Sequence, residues 1–143
     1  MVEGTGTMEA PRMLDLFCGT GSVGNAFRMR GYSVVSVDND IRWKPDICVD
    51  VMSWDYKAAF PPGHFDVIAA SPPCTEYSIA LTTRPRNLDA SNLIVKRTLE
   101  IIAYFLPSKW IMENPRTGLL KQQAVVNGIA FVDVDYCQPT PFR

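Results

Sequence analysis

The sequence predicts an α/β fold in which helices cover both faces of a mostly parallel sheet. Two observations lead to this prediction. Short apolar segments typical of buried strands alternate with segments of helical periodicity along most of the chain. A glycine-rich loop also follows the first apolar segment, as at the start of a nucleotide-binding unit. The chain has 143 residues, enough for one domain with a substantial core. We therefore expect a flexible tail at 1–11 and one domain over 12–143.

Six strands are predicted, each a short apolar segment bounded by glycine, proline or polar residues. They lie at 12–17, 32–38, 46–51, 65–71, 109–113 and 130–136. Three helices are predicted between them, at 22–31, 89–106 and 118–128. Gly31 is placed to end the first helix. The second helix is indicated by apolar residues that recur near helical spacing, namely Leu93, Val95, Leu99, Ile102 and Leu106.

Composition and charge narrow the class of protein. The chain carries a net charge of −1, so it has no overall attraction for nucleic acid, and its N-terminus has no signal-peptide pattern. Its four cysteines lack C-x-x-C spacing, so neither a zinc site nor a disulfide framework is indicated. We expect a cytoplasmic or nuclear protein, neither secreted nor held in a membrane. Residues 71–121 carry seven basic and four acidic side chains, which fits either a face for polyanions or an ordinary solvated helix face.

Polar residues gather where the predicted strands end. The first strand is followed by Phe17-Cys18-Gly19 and the second by Asp38-Asn39-Asp40, and Asp50 belongs to the end of the third. The fourth runs into Ser71-Pro72-Pro73-Cys74 and the fifth into Glu113-Asn114. Parallel sheets bind ligands outside the carboxyl ends of their strands. The sequence therefore predicts a ligand site along this edge.

The glycine loop has the G-x-G-x-x-G pattern at Gly19, Gly21 and Gly24, and Asp38 follows near the distance of a ribose-binding acid. These residues alone fit a nicotinamide dinucleotide or another cofactor that contains adenosine. Asp15, just before the loop, argues against the dinucleotide, since such strands are usually apolar throughout.

Two further features favour S-adenosylmethionine as the cofactor. Asp50 is placed to accept a hydrogen bond from the exocyclic amine of an adenine. Cys74 and Glu113 have no evident use in hydride transfer. Because S-adenosylmethionine carries no phosphate, the glycines would serve close approach of the backbone instead.

Four segments resemble motifs of the DNA (cytosine-5) methyltransferases, especially the short phage and viral members. They are DLFCGTGSVG, VDND, SPPCTEYS and ENPRTG, they occur in this order, and the resemblance extends from about Leu14 to Tyr136. It implies a Rossmann-like fold that uses S-adenosylmethionine. It also implies methyl transfer to C5 of cytosine in DNA through a covalent cysteine adduct.

The resemblance also implies roles for individual residues. Cys74 would be the nucleophile and Glu113 the acid beside the target cytosine. Ser78, in the loop after the nucleophile, would touch the DNA backbone. Arg84, Arg86 and Arg116 are the basic side chains that we expect to help hold nucleic acid. No metal site is predicted. The residues expected to hold the cofactor are Phe17, Gly19, Gly21, Asp38, Asp50 and Pro73.

The chain departs from the family pattern in three places. Thr75 stands where glutamine is usual, and Pro115 where valine is usual. The sequence stops at Arg143, before the family's target-recognition region and last motifs. We therefore expect a C-terminally incomplete domain, half of a split enzyme or a degenerate copy. Such a chain alone should methylate duplex DNA poorly and should need a complementing chain or a second copy.

Other functions stay open. The SPPC segment is similar to the motif of amino-methyltransferases that act on adenine N6 or cytosine N4, but Cys74 replaces the aromatic residue that stacks on the base. A chain that binds S-adenosylmethionine and only regulates a partner is a second alternative. A tRNA-methylating branch of the family uses the same motifs, so RNA stays open as a substrate beside DNA.

Overall fold

The computed structural model describes residues 9–73 and 88–113. Five strands in these residues form one parallel sheet in the order β3-β2-β1-β4-β5. The strands are β1 (Arg12–Leu16), β2 (Ser33–Asp38), β3 (Ile47–Cys48), β4 (Val67–Ala70) and β5 (Lys109–Met112). The helices are α1 (Ser22–Met29), α2 (Tyr56–Ala59) and α3 (Leu88–Phe105), with a 3-10 turn at Ile41–Trp43.

The predicted α/β class is confirmed, and each predicted strand and helix in the described residues is present. The predicted helix at 118–128 and strand at 130–136 lie outside them. The sequence did not predict α2 or the 3-10 turn, because each is about one turn long and shows no periodicity. In the described part of the chain, no helix is long and apolar enough to cross a membrane.

Alternate residues of the strands point to two apolar layers, one on each face of the sheet. On one face, Leu14, Leu16 and Ile68 pack with Ile101 and Phe105 of α3. On the other face, a smaller layer packs around α1 and is formed by Met13, Val67 and Ala69 with Phe27, Tyr32 and Val34. The helices therefore cover both faces, as predicted.

The buried side of α3 differs in part from the predicted apolar stripe. Val95 and Ile102 are buried, whereas Leu93 is 54% exposed and Leu106 is 72% exposed. Leu93 precedes Val95 by two positions, which places it on the other side of the helix. Leu106 follows the last helical residue and has a φ of +51°. The core stripe instead includes Thr98, whose hydroxyl donates to the carbonyl of Ile94 at 2.8 Å.

Gly31 ends α1 as expected. Its φ is +89°, its N–H donates to the carbonyl of Arg28 at 3.0 Å, and the N–H of Tyr32 donates to that of Phe27 at 3.1 Å. This left-handed turn suits glycine and satisfies the last carbonyls of the helix. The chain then enters β2 directly, which brings Asp38 to the same edge of the sheet as the glycine loop.

Candidate cofactor-binding site

A cavity of about 280 Å³ opens at the carboxyl edge of β1, β2 and β4. Two acidic residues, Asp38 and Asp50, line it together with Phe17. Its apolar lining comes from segments far apart in the sequence, which places the site at a junction of the strands and α3. The remaining lining residues are Val37, Asn39, Val49, Val51, Ser71, Pro73 and Ile94.

The glycine loop connects β1 to α1 through a series of left-handed residues. Phe17, Gly19 and Gly21 have φ values of +59°, +50° and +83°. A non-glycine residue such as Phe17 rarely adopts this conformation, because it strains the backbone. Residues with such backbone strain occur most often at functional sites. Gly21 also stands at the N-cap of α1, where it offers no side chain to the free N–H groups of the first turn.

Asp38 joins the glycine loop to the end of β2. Its Oδ2 accepts a hydrogen bond from the N–H of Gly19 at 3.0 Å, and its Oδ1 accepts one from the N–H of Asp40 at 2.9 Å. Each carboxylate oxygen has two lone pairs, so both oxygens keep one for another donor. A half-buried carboxylate fixed in this way suits a ligand with two adjacent hydroxyls, such as a ribose.

Asp50 is held by its own turn. Its Oδ1 accepts from the N–H of Met52 at 2.9 Å, and its carbonyl accepts from the N–H of Ser53 at 3.0 Å. The side chain is exposed, whereas the neighbouring Val51 is 5% exposed. An oriented carboxylate beside apolar walls provides the two contacts that a purine with an exocyclic amine requires, one for its amine and one for its ring.

Asp40, two residues beyond Asp38, has a different role. Arg42 lies against it with a contact of 2.6 Å, and its hydrogen bonds lower the pKa of Asp40 to about 2. The same carboxylate accepts from the N–H of Arg42 at the start of the 3-10 turn. Asp40 therefore shapes the turn after β2, and its negative charge is already paired with Arg42.

Asp15 lies under the glycine loop and caps α1 from outside the helix. Its side chain is 4% exposed, and its Oδ2 accepts from the N–H of Gly24 at 3.1 Å. Gly24 lies so close that an added Cβ would meet Asp15 Oδ2 at 2.9 Å and Val34 Cγ1 at 3.2 Å. A carboxylate beside the first turn of a helix also favours the helix dipole. The third glycine thus serves close packing of helix against strand.

Burial raises the pKa of two groups in this layer. For Asp15 the value is about 6, because burial outweighs the hydrogen bond from Gly24 and the positive charge of Arg28. Burial also raises the pKa of the Cys18 thiol, and the negative charges of Asp15 and Asp38 add to that rise. Cys18 is therefore a protonated thiol at neutral pH rather than a nucleophile.

The ends of β4 and β5 leave the sheet side by side. Ala70 and Met112 are partners in the parallel register, and the N–H of Glu113 donates to the carbonyl of Ala70 at 2.9 Å. Pro72 is buried, and Pro73 is exposed and lines the cavity. Glu113 is exposed at this edge. The predicted nucleophile Cys74 is the next residue after Pro73, and it lies outside the described residues.

The described residues thus bring together most of the predicted cofactor contacts. Phe17, Asp38, Asp50 and Pro73 line the cavity. The N–H of Gly19 donates a hydrogen bond to Asp38, and Gly21 is the N-cap of α1. The side chains predicted to hold nucleic acid, which are Ser78, Arg84, Arg86 and Arg116, lie outside the described residues. Among the residues that are described, no three His, Cys, Asp or Glu side chains are grouped to hold a metal ion.

Sequence reasoning missed the aliphatic part of the lining, which is formed by Val37, Val49, Val51 and Ile94. Val49 and Val51 flank Asp50, so the end of the predicted strand at 46–51 could have indicated them as lining residues. Ile94 comes from α3 and has no such signal, because its packing against the sheet depends on the tertiary fold. Ser71 was predicted only as part of the edge and not as a cofactor contact.

The parallel sheet and its edge cavity define a Rossmann-like domain of the class found in S-adenosylmethionine-dependent methyltransferases. Residues 11–130 match the family described as C-5 cytosine-specific DNA methylase. The chain belongs to this family, as its four motifs predicted.

Two relatives illustrate the similarity. A probable DNA (cytosine-5)-methyltransferase of Frog virus 3 (isolate Goorha) is 40% identical over 139 residues, which cover 88% of this chain and 63% of that protein. The type II methyltransferase M.AgeI of Thalassovita gelatinovora is 29% identical over 125 residues, which cover 76% of this chain and 28% of that protein. The chain therefore spans less than two thirds of the length of either relative.

Proposed function

We propose that this chain binds S-adenosylmethionine in the edge cavity and transfers its methyl group to C5 of cytosine in DNA. The observation that carries the proposal is the pair of carboxylates, Asp38 and Asp50, on an apolar-lined cavity that Pro73 also lines. Pro73 immediately precedes Cys74 in the chain. Membership of the cytosine-C5 family and the names of the two relatives support the same reaction.

The lining fits an adenosine. Asp38 would accept from the ribose hydroxyls with its remaining lone pairs, and Asp50 would accept from the adenine amine with the oxygen that Met52 does not engage. Val49, Val51 and Ile94 would contact the ring. The glycine loop would not bind a phosphate here, because S-adenosylmethionine carries none. Its glycines would instead allow the backbone to approach the cofactor closely.

When bound, S-adenosylmethionine supplies an electrophilic methyl group. In our proposal the Cys74 thiolate adds to C6 of cytosine, which forms the Sγ–C6 bond and moves the electron pair of the C5–C6 double bond toward C5 and N3. A proton held by Glu113 at N3 stabilises that charge. This covalent step turns C5 into a nucleophile. C5 would then form a bond to the methyl carbon as the bond from that carbon to the sulfonium sulfur breaks, so that S-adenosylhomocysteine would be the leaving group.

The adduct then breaks down. A base from solvent removes the C5 proton, the electron pair re-forms the C5–C6 double bond, and the Sγ–C6 bond breaks to return the Cys74 thiolate. The Glu113 carboxyl recovers its proton from N3. None of these contacts is available inside stacked DNA, so the cytosine must leave the helix first.

Product analysis tests the proposal. The chain is incubated with tritiated S-adenosylmethionine and either unmethylated duplex DNA or tRNA, and the nucleosides are separated after digestion. We expect a low yield of label from the chain alone, with that label in 5-methyldeoxycytidine from DNA. Label in N4-methyldeoxycytidine or N6-methyldeoxyadenosine would contradict the proposed chemistry, and 5-methylcytidine from tRNA alone would contradict the proposed substrate.

A further inference from the structure

Arg97 of α3 joins the helix to the turn that carries Asp50. Its Nε donates to the carbonyl of Val51 and its terminal nitrogen to the carbonyl of Trp54, each at 3.0 Å. The guanidinium lies 4.8 Å from the centre of the Tyr56 ring, and Glu100 lies 3.6 Å away. Three features of the guanidinium, its charge, its fork of donors and its flat face, are therefore all engaged.

This link holds two walls of the cavity in one geometry. Val51 lines the cavity and follows Asp50, and Ile94 lines it from α3, one helical turn before Arg97. Within the turn, the hydrogen bonds are local, from Met52 and Ser53 back to Asp50. The two hydrogen bonds from Arg97 join this turn to α3.

We propose that Arg97 is a positioning residue that sets where the Asp50 carboxylate meets the cofactor's adenine and so determines preference for the 6-amino group. The inference rests on the proposed function, since it takes the cavity to hold an adenosine. Lysine carries its donors on one nitrogen and has no planar fork, so it cannot reach the two carbonyls from the two separate positions that Nε and the terminal nitrogen of Arg97 occupy. The turn would then move relative to Ile94 while Asp50 itself stays intact.

Two ligands separate this role from general packing. S-adenosylhomocysteine carries the adenine amine, and a purine analogue with hydrogen in its place lacks the group that Asp50 would bind. Wild-type protein should prefer the amine by roughly tenfold, the size expected for one hydrogen bond to a charged group. In Arg97→Lys and Arg97→Met, the affinity for S-adenosylhomocysteine should fall by about tenfold and the preference should largely disappear. Affinity for the purine analogue should change less than threefold.

Glu100→Gln is the matched control, because it removes the ion-pair partner of Arg97 and leaves both carbonyl contacts. It should keep the wild-type preference. Calorimetry gives the affinities, and circular dichroism of the free variants reports their folding. Equal losses for both ligands, a retained preference, or unfolding of both Arg97 variants would overturn the proposal for Arg97 alone. A wild-type chain that binds neither ligand would overturn the proposed function, and this inference with it.

Discussion

The backbone N–H of Gly19 donates to Oδ2 of Asp38 at 3.0 Å, across a sequence separation of 19 residues. The glycine loop after β1 and the acid at the end of β2 are therefore one structural unit. The acid that we propose for ribose binding also holds the loop in its left-handed conformation. Any change at Asp38 should consequently act on the ligand and on the loop together.

Replacing Asp38 should weaken binding of S-adenosylhomocysteine strongly. Asparagine keeps one acceptor but turns an amide toward one of the two N–H groups that the carboxylate now satisfies, and alanine removes both acceptors. Because charged acceptors contribute about 1.5–3 kcal/mol each, we expect losses of at least tenfold, greater for Asp38→Ala. Asp40→Asn is the control, since the side chain of Asp40 is occupied by Arg42, and the affinity of this variant for S-adenosylhomocysteine should stay within twofold. Calorimetric titration measures all three variants.

Gly24→Ala should lower the free energy of unfolding by roughly 1–3 kcal/mol, the usual cost of overpacking. The opposite sign is expected for an unconstrained helical glycine, where alanine stabilises by about 0.5–1 kcal/mol. The close approach of the added Cβ to Asp15 and Val34 decides between the two effects. Urea unfolding measures the difference, and Val23→Ala, at an exposed position of the same helix, should change stability by less than about 0.5 kcal/mol. A more stable Gly24→Ala protein would show that the packing at this glycine is looser than described.

Asp15→Asn should become more stable relative to the wild type as pH rises. Burial raises the pKa of Asp15 from 3.8 to about 6, so the folded wild type binds a proton in a range where the unfolded chain has lost it. Its stability therefore falls between about pH 4 and pH 6 and levels off above that range. Each pKa unit corresponds to about 1.4 kcal/mol, so the variant should gain up to ~3 kcal/mol relative to the wild type. Asparagine keeps an acceptor for the Gly24 N–H.

The measurement is urea unfolding of both proteins from pH 4.5 to 8. Taking the difference between them removes the contribution of other titrating groups, such as His64. A difference that does not change with pH would mean that Asp15 is ionised in the folded protein without a penalty from burial.

Cys74→Ser should abolish covalent trapping on DNA that contains 5-fluorocytosine. After methyl transfer, C5 carries fluorine in place of the proton that a base would remove. Elimination is therefore blocked, and the Sγ–C6 bond persists in the wild type. Placing the target opposite a mismatched base lowers the cost of base extrusion. Cys48→Ser, a change at an exposed thiol, should still be trapped. The readout is a complex stable to denaturing electrophoresis, and trapping of Cys74→Ser at the wild-type level would contradict the assignment of the nucleophile.

Glu113→Gln should slow methyl transfer by about 10²–10⁴-fold, the range for loss of a general acid, while cofactor affinity stays within twofold. Glu113 is exposed beside the end of β4, and its N–H bond to Ala70 does not depend on the side chain. Single-turnover transfer of labelled methyl groups measures the rate. An unchanged rate would remove Glu113 from the reaction.

Most of the strand positions could be predicted from the sequence, because each strand is a short apolar segment between turn residues. The placement of Asp38 and Asp50 at the ligand-binding edge could also be predicted, since the carboxyl ends of parallel strands share one edge of the sheet. Periodicity did not carry the one-turn helix α2, and it placed Leu93 and Leu106 in the apolar stripe of α3 although both are exposed.

The remaining features depend on contacts between distant segments. Arg97 meets Val51 across 46 residues, and no local pattern marks an arginine whose donors reach backbone carbonyls. Asp15 is unusual in an otherwise apolar strand, and the sequence does not explain it. In the folded protein its carboxylate accepts a hydrogen bond from the N–H of Gly24, which lies far enough along the chain that only the packing of α1 brings the two together. Such residues become interpretable only after the packing of helix on sheet is known.

The proposed cofactor is tested by calorimetric titration of the wild-type chain with S-adenosylhomocysteine and, separately, with a nicotinamide dinucleotide. Both ligands carry an adenosine, but only the dinucleotide brings phosphates to the glycine loop. We expect saturable binding of S-adenosylhomocysteine at one site per chain, weakened in Asp38→Ala and in Asp50→Ala, and no saturable response to the dinucleotide. Saturable binding of the dinucleotide without a response to S-adenosylhomocysteine would show that the cavity does not hold S-adenosylmethionine.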